Sequence, residues 1–563
     1  MKKIFISIFI AAVTFTSASA EQQGMESITP SEAILFLKTS KISRLVQTSK
    51  FIIDNILSEK QKLQAVQGRD SFRKKTGIDL LEVQSIGSKG LNTDKRMGLA
   101  ILKKVNNRDR LIIFIPVIDG KSFPLKFVEI IKSINMNKGD LDIYPAITMY
   151  KNNRIYQMRK DVFATSSKGY FVIASTGKLI KNVVDLADDS SKSLASDTLY
   201  ADYLKNKKGH YDFNFFVKRE MLIDIFKRGL LRRKKRDNIK KPSLIFNDKN
   251  IYGAVLKNKG EMDESYRMVQ FSKKRSGGVS PFESVNYALL GAGVESNRFK
   301  VYVGADLNVL NPLVNIATSL IKTGNAGKSL YLQDATGYSF LSLNFKDFEK
   351  ICKTSGPGCK EYVGLKKAVK METGIDLAVD FIPYYSGIVN VLLGKSEGFG
   401  MNNIAAYLPM NSYAKSKALW LKAKKYFKSK YVKSKGFGET KINGKNVFWF
   451  AGKDRQRRYF YADKRGIYIA DKLPFLKTII KSKELGEVQI SHILIEKMTK
   501  DVFFLAYVKD KSFLNNLMKM QTMRNRDIGS AVARIGDIFI ILGGKKNLFT
   551  VELDVELNKK IDK

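Results

Sequence analysis

Across 563 residues the chain holds two cysteines, two histidines, 11 prolines and only 54 acidic residues. Two cysteines exclude a disulfide-dense scaffold and a multi-cysteine metal centre, and two histidines exclude a multi-histidine one. So few prolines beside 44% hydrophobic and 11% aromatic residues exclude a disordered or collagen-like chain. After residue 20 no stretch approaches the ~18 consecutive apolar residues of a spanning helix. The strongest apolar runs, Val502 to Val508 and Ile538 to Leu542, have strand length. The shortage of acids tells most: against 98 Lys and Arg it leaves a formal charge of +44.

The first twenty residues read as a secretory signal peptide. Lys2 and Lys3 form a positive start, Ile4 to Phe15 is a mostly apolar stretch too short to span a bilayer, and Ala18-Ser19-Ala20 is an A-x-A cleavage site. No cysteine follows it for a lipid anchor. The expected compartment is periplasmic or extracellular, and removing two lysines leaves a mature charge of +42.

The rest reads as a tandem duplication. Ser31 to Leu37 and Tyr338 to Leu343 each open a unit as a strand running into a helix. Thr76-Gly77-Ile78-Asp79-Leu80 recurs identically as Thr373-Gly374-Ile375-Asp376-Leu377. The strand end Ile112 to Val117, with Pro116, matches Ala405 to Met410, with Pro409, and each is followed by a polar turn and a Lys-rich helix pattern. Gly169 to Ala174 matches Gly466 to Ala470, and Asn214 to Lys218 matches Leu505 to Lys509. Helical spacing over 42–75 and 361–373, with strands around turns such as Asn443-Gly444, predicts an α+β fold of largely antiparallel sheet with packed helices, present twice. The expected organisation is a signal peptide over 1–20, unit one over 21–275, a connecting segment over 276–330 and unit two over 331–563. The connecting segment should add a strand near Phe299 to Ala305 and a helix near Val314 to Lys322.

The recurring Thr-Gly-Ile-Asp after a helix, followed by a hairpin and an apolar-Pro strand end, resembles exported bacterial proteins grouped as a domain of unknown function. That resemblance covers most of the mature chain. It implies two similar α+β units behind a signal peptide and no catalytic residues.

Motifs that suggest chemistry fail on context. Gly394-Lys395-Ser396-Glu397-Gly398 fits the G-x-S-x-G elbow, but a strand pattern follows it where a helix is required, so a hairpin turn is expected. Lys322 to Ser329 ends like a phosphate-binding loop, yet Lys322 stands where the first glycine belongs. Lys435-Gly436-Phe437-Gly438 begins like an RNA-binding signature but continues Glu439-Thr440, which reads as the start of an ordinary strand. Neither His210 nor His492 is marked as a base, and Asp79 and Asp376, placed after glycine, are expected to be turn or cap acceptors. No cofactor or metal is expected. Cys352 and Cys359, enclosing a Gly-Pro-Gly turn in an exported chain, are expected to form a local disulfide.

Charge remains. Arg232, Arg233, Lys234, Lys235, Arg236, Lys240 and Lys241 form the densest basic run, and Lys453, Arg455, Arg457 and Arg458 sit at an expected hairpin tip between aromatic strands. Arginine forks bind phosphate and carboxylate in bidentate fashion. The leading expectation is an exported, non-enzymatic protein that binds or scaffolds on an anionic envelope component: a polymer, lipid headgroups or an acidic protein. Binding should be salt-sensitive and weaken about equally when either cluster is neutralised. The alternative is a periplasmic carrier or assembly factor for an apolar ligand or client protein, since 16 Met and 35 Phe suit an adaptable cavity. Nucleic acid inside the cell is not an expected partner.

Overall fold

The computed structural model describes residues 24–57, 59–105, 108–135, 145–207, 209, 211–225, 284–308, 314, 318–321, 335–354, 359–394, 403–433, 435–452, 456–484, 497, 501–509, 535–545 and 547–557. The fold is α+β, and all strand pairs among these residues are antiparallel. The first half contributes β1 (Ala33–Lys41), β2 (Arg96–Val105), β3 (Arg108–Pro116), β4 (Ala146–Tyr150), β5 (Asn153–Arg159), β6 (Val162–Ser167), β7 (Tyr170–Ala174), β8 (Phe213–Lys218), β9 (Val285–Glu295) and β10 (Arg298–Leu307). The second contributes β11 (Gly337–Ser342), β12 (Ile388–Gly394), β13 (Asn403–Pro409), β14 (Phe437–Ile442), β15 (Lys445–Ala451), β16 (Arg457–Asp463), β17 (Gly466–Ala470), β18 (Val502–Val508), β19 (Ile535–Lys545) and β20 (Leu548–Leu557).

All twenty strands belong to one sheet, and β10 pairs with β20 near its middle. Outward from that seam, one side runs β10, β9, β8, β1, β2, β3, β7, β6, β5, β4. The other runs β20, β19, β18, β11, β12, β13, β17, β16, β15, β14, the same order with each number raised by ten. The strands of 285–307 thus lie beside β8 and β20. Hairpins β9–β10 and β19–β20 have bounds displaced by 250 positions throughout, and Tyr302 faces Glu552 at the centre of the seam.

Local chemistry sets the strand ends. The turns Lys151-Asn152, Ser296-Asn297 and Asn443-Gly444 hold both residues at positive φ, the two-residue geometry whose twist matches the flanking strands. Pro116 and Pro409 close β3 and β13 opposite Tyr170 and Gly466.

Helices cover both faces of the sheet. They are α1 (Ile42–Asn55), α2 (Glu59–Thr76), α3 (Val83–Ser88), α4 (Phe123–Asn135), α5 (Gly177–Asp188), α6 (Thr198–Asn206), α7 (Phe345–Thr354), α8 (Lys360–Thr373), α9 (Tyr413–Tyr431) and α10 (Leu473–Glu484). One face packs α5 and α6 against Phe36, Phe114 and Phe216, and α10 against Tyr338, Leu392 and Tyr407. Thr176 caps α5 by accepting from Leu179 N, and Asp197 caps α6 by accepting from Leu199 N and Tyr200 N. The opposite face carries α1 on Met97, α4 on Phe171, and α7 and α9 on Leu408, Ile467 and Ile469. Strand alternation decides which side chains meet which helix layer.

Candidate functional site

Helix α9 reads Tyr-Ala-Lys-Ser-Lys-Ala-Leu-Trp-Leu-Lys-Ala-Lys-Lys-Tyr-Phe-Lys-Ser-Lys-Tyr, with seven lysines and no carboxylate in 19 residues. Ser412 starts it by accepting from Lys415 N at 3.5 Å. Ser416 and Leu419 are buried, and Trp420 and Phe427 turn toward the sheet. The Phe427 ring lies parallel to Phe450 at 4.0 Å and 5.5 Å from Phe460, while the Trp420 ring is 5.4 Å from Phe448. These contacts fix the roll of the helix on β15 and β16.

The lysines then divide by direction. Lys422 reaches Asp380 at 2.6 Å and Lys424 reaches Glu439 at 2.6 Å. Lys430 donates to the Tyr426 hydroxyl at 2.6 Å, which holds its ammonium above the usual lysine range. Lys415 lies 4.9 Å over the Tyr384 ring. Lys417, Lys425 and Lys428 point to solvent, and among the described residues no carboxylate lies within ion-pair reach of them. Beside α9, α8 presents exposed Lys367 and Lys370, the latter bonded to Asp376 at 2.7 Å.

Of the basic residues singled out from the sequence, Arg232, Arg233, Lys234, Lys235, Arg236, Lys240, Lys241, Lys453 and Arg455 lie outside the described residues. Arg457 and Arg458 are both on β16, and the pleat sends them to opposite faces. Arg457 stacks over Trp449 with its guanidinium 4.2 Å from the ring centroid. Arg458 pairs across from Phe450, on the side that carries α9. The structure therefore joins Arg458 to the α9 lysines and separates Arg457 from them.

The other candidates resolve into architecture. Cys352, in α7, is disulfide-bonded to Cys359, which precedes α8, with Cα atoms 5.2 Å apart. Gly394 ends β12 and the next described strand is β13, its antiparallel neighbour; Ser396 is outside the described residues, as are His210, His492 and Lys322 to Ser329. Lys435, at φ 54°, leads into β14 as an ordinary strand start.

Both Thr-Gly-Ile-Asp segments make one hydrogen-bond set. Thr76 Oγ1 donates to Phe72 O at 2.9 Å and accepts from Ile78 N at 3.1 Å; Thr373 Oγ1 does the same with Val369 O at 2.6 Å and Ile375 N at 3.1 Å. Gly77 and Gly374 follow at φ 68° and 69°, the left-handed stop favoured by glycine. Asp79 and Asp376 accept from Leu81 N and Ala378 N. A forked bond from Arg69 holds the Asp79 carboxyl below the usual range, and Lys370 does so for Asp376.

Buried charge gathers at the seam. Asp554 is fully buried, accepts from Arg298 Nε at 2.7 Å across the β10–β20 ladder, and meets Lys497 Nζ at 2.5 Å; Lys497 also contacts Glu552 at 3.1 Å. Burial opposes the Lys497 charge, but these carboxylates keep its pKa above the ordinary value. Sequence reading missed this cluster because its members come from separate segments. It noted the Lys-rich helix without weighing it as a site, although α9's composition alone marks it out.

Among the described residues no group of three or more His, Cys, Asp or Glu is placed to hold a metal ion, and no helix is long and apolar enough to cross a membrane. No family model and no curated protein matches the chain. Among solved structures, crystal forms IV, I and III of TP0453 match at 7%, 8% and 7% identity, covering 52%, 55% and 55% of this chain and 84%, 88% and 89% of theirs. Their TM-scores of 0.23, 0.21 and 0.22 do not establish a shared fold.

Proposed function

We propose that this chain is an exported, non-enzymatic binding protein, built by tandem duplication, that attaches to an anionic component of the cell envelope through the α9 face of its second half. The observation that carries the reading is α9 itself: seven lysines without a carboxylate, held at a fixed roll, with Lys417, Lys425 and Lys428 outward and Arg458 on the same side of the sheet. The corresponding helix of the first half, α4, has two lysines and Glu129, so the duplication does not repeat this face at the equivalent helix. The Cys352–Cys359 disulfide fits an oxidising compartment, and the matched strand order supports duplication.

Retention on an envelope fraction should fall steeply between ~50 and ~500 mM salt, where the Debye length shortens from about 14 to about 4 Å. Replacing Lys417, Lys425 and Lys428 by Gln should weaken retention far more than the same change at Lys60, Lys74 and Lys75 of α2. Equal effects from the two triple variants would defeat the assignment of the site.

A carrier role for an apolar ligand or client has one observation in its favour. Val303 and Val551, paired across the seam, and Ile540 beside them are exposed. Lipid co-purifying with gently isolated protein would support that second reading, and its absence from mass spectra would count against it.

A further inference from the structure

We propose that the α8–α9 layer docks on a phospholipid bilayer, its lysines in an anionic headgroup layer and its outward apolar side chains among the first acyl carbons. This rests on the reading of the α9 face as anion-binding and adds the chemistry of the partner.

The layer is basic and apolar on the same outward surface. On α9, Leu421 is 49% exposed, and Val432, capping its C-terminal end in helical conformation, is 48% exposed, both within the arc that carries Lys417, Lys425 and Lys428. On α8, Met371 is 84% exposed, one turn from exposed Lys367 on the same side of the helix. Between them the π-helical turn Leu377–Phe381 exposes Val379 at 61%, and Tyr413 is half-exposed at the start of α9. Lys422–Asp380 and Tyr426–Glu372 contacts tie α9 to that turn and to α8, so these side chains belong to one packed layer.

A polyanion in water offers charge to the lysines but nothing to Met371, Val379 and Leu421. A bilayer interface offers both, because cationic heads sit among phosphates while short apolar side chains leave water. Tyrosine suits the same depth, with an apolar ring and a polar tip. The aromatic stack beneath α9 keeps it from rolling its apolar side inward. The layer thus presents a fixed mixed surface.

The test uses the full chain and three probes: vesicles of phosphatidylcholine with about one-third phosphatidylglycerol, vesicles of phosphatidylcholine alone, and soluble inorganic polyphosphate. Three proteins are compared by flotation and by polyphosphate retention: the unaltered chain, K417Q/K425Q/K428Q, and M371S/V379S/L421S, with thermal melts confirming that both variants fold. The unaltered chain should bind phosphatidylglycerol vesicles and polyphosphate but not neutral vesicles. The lysine variant should lose about 100-fold on the anionic vesicles, on the order of fivefold per lysine, and also weaken on polyphosphate. The apolar variant should lose at least tenfold on vesicles and keep polyphosphate binding. Unchanged vesicle binding by the apolar variant, or polyphosphate binding without vesicle binding by the unaltered chain, would overturn membrane docking and leave the anion-binding reading standing. Full binding of both probes by the lysine variant would overturn both.

Discussion

At the scale of single residues, Asp79 and Asp376 occupy matched positions in different surroundings. Asp79 is 2% exposed and takes the Arg69 fork; Asp376 lies nearer solvent and takes one lysine. Asp79→Asn should therefore cost ~1.5–3 kcal/mol, the range for hydrogen bonds to a charged group, and Asp376→Asn clearly less, as read from urea unfolding. The sign of the pH effect follows from the lowered Asp79 pKa. Its stabilisation is fully present above the ordinary carboxylate range and is lost as pH falls through the native-state value. Asp79→Asn should flatten that part of the acid-unfolding profile, and an unchanged profile would remove the assignment. The cap role was legible from the Gly-Asp order alone, whereas the Arg69 partner was not, because it lies ten residues earlier and depends on α2 folding back over the turn.

At the scale of elements, hairpins and helices followed closely from pattern. The expected strand near Phe299 to Ala305 is part of β10, Asn443-Gly444 is the β14–β15 turn, and the helical spacing over 361–373 is α8. Less legible were features that two distant segments make together. Nothing in the Arg457-Arg458 dipeptide said which guanidinium would share a face with α9, since alternation separates them but only the position of α9 gives each side its meaning. The disulfide joins the end of α7 to the start of α8, across which Phe348 meets Tyr362 at 4.9 Å and Lys366 pairs with Glu349. Its reduction should cost ~2–3 kcal/mol, by the loop entropy of so short a closure. Melting with and without dithiothreitol measures this, and a Cys352→Ser/Cys359→Ser variant should melt at the same lowered temperature in both buffers.

At the scale of the whole molecule, the seam decides how two similar halves become one sheet. On its polar side Arg298 faces Glu556, Lys300 faces Asp554 and Tyr302 faces Glu552. The same register between two copies of the second half would set Glu552 against itself, and between two copies of the first half Arg298 would face Asp306 without Asp554. The charges thus count against self-pairing of the second half. Removing Asp554 leaves part-buried Arg298 without its carboxylate and Lys497 with Glu552 alone, so Asp554→Ala should cost about 3 kcal/mol, the low end for breaking a buried pair, with little change in the urea m-value. A loss under ~1 kcal/mol would mean that the ladder alone holds the seam. The strand order of each half could not be read from the sequence, because antiparallel partners far apart in the chain leave no local pattern.

Of the formal charge of +44, α9 gathers seven lysines without a carboxylate in 19 residues. The most direct measurement is the slope of log affinity for inorganic polyphosphate against log salt, for the unaltered chain and for K417Q/K425Q/K428Q/R458Q. The slope should become shallower by roughly three, about 0.7 for each phosphate contact removed. Equal slopes and equal affinities for the two proteins would contradict the account.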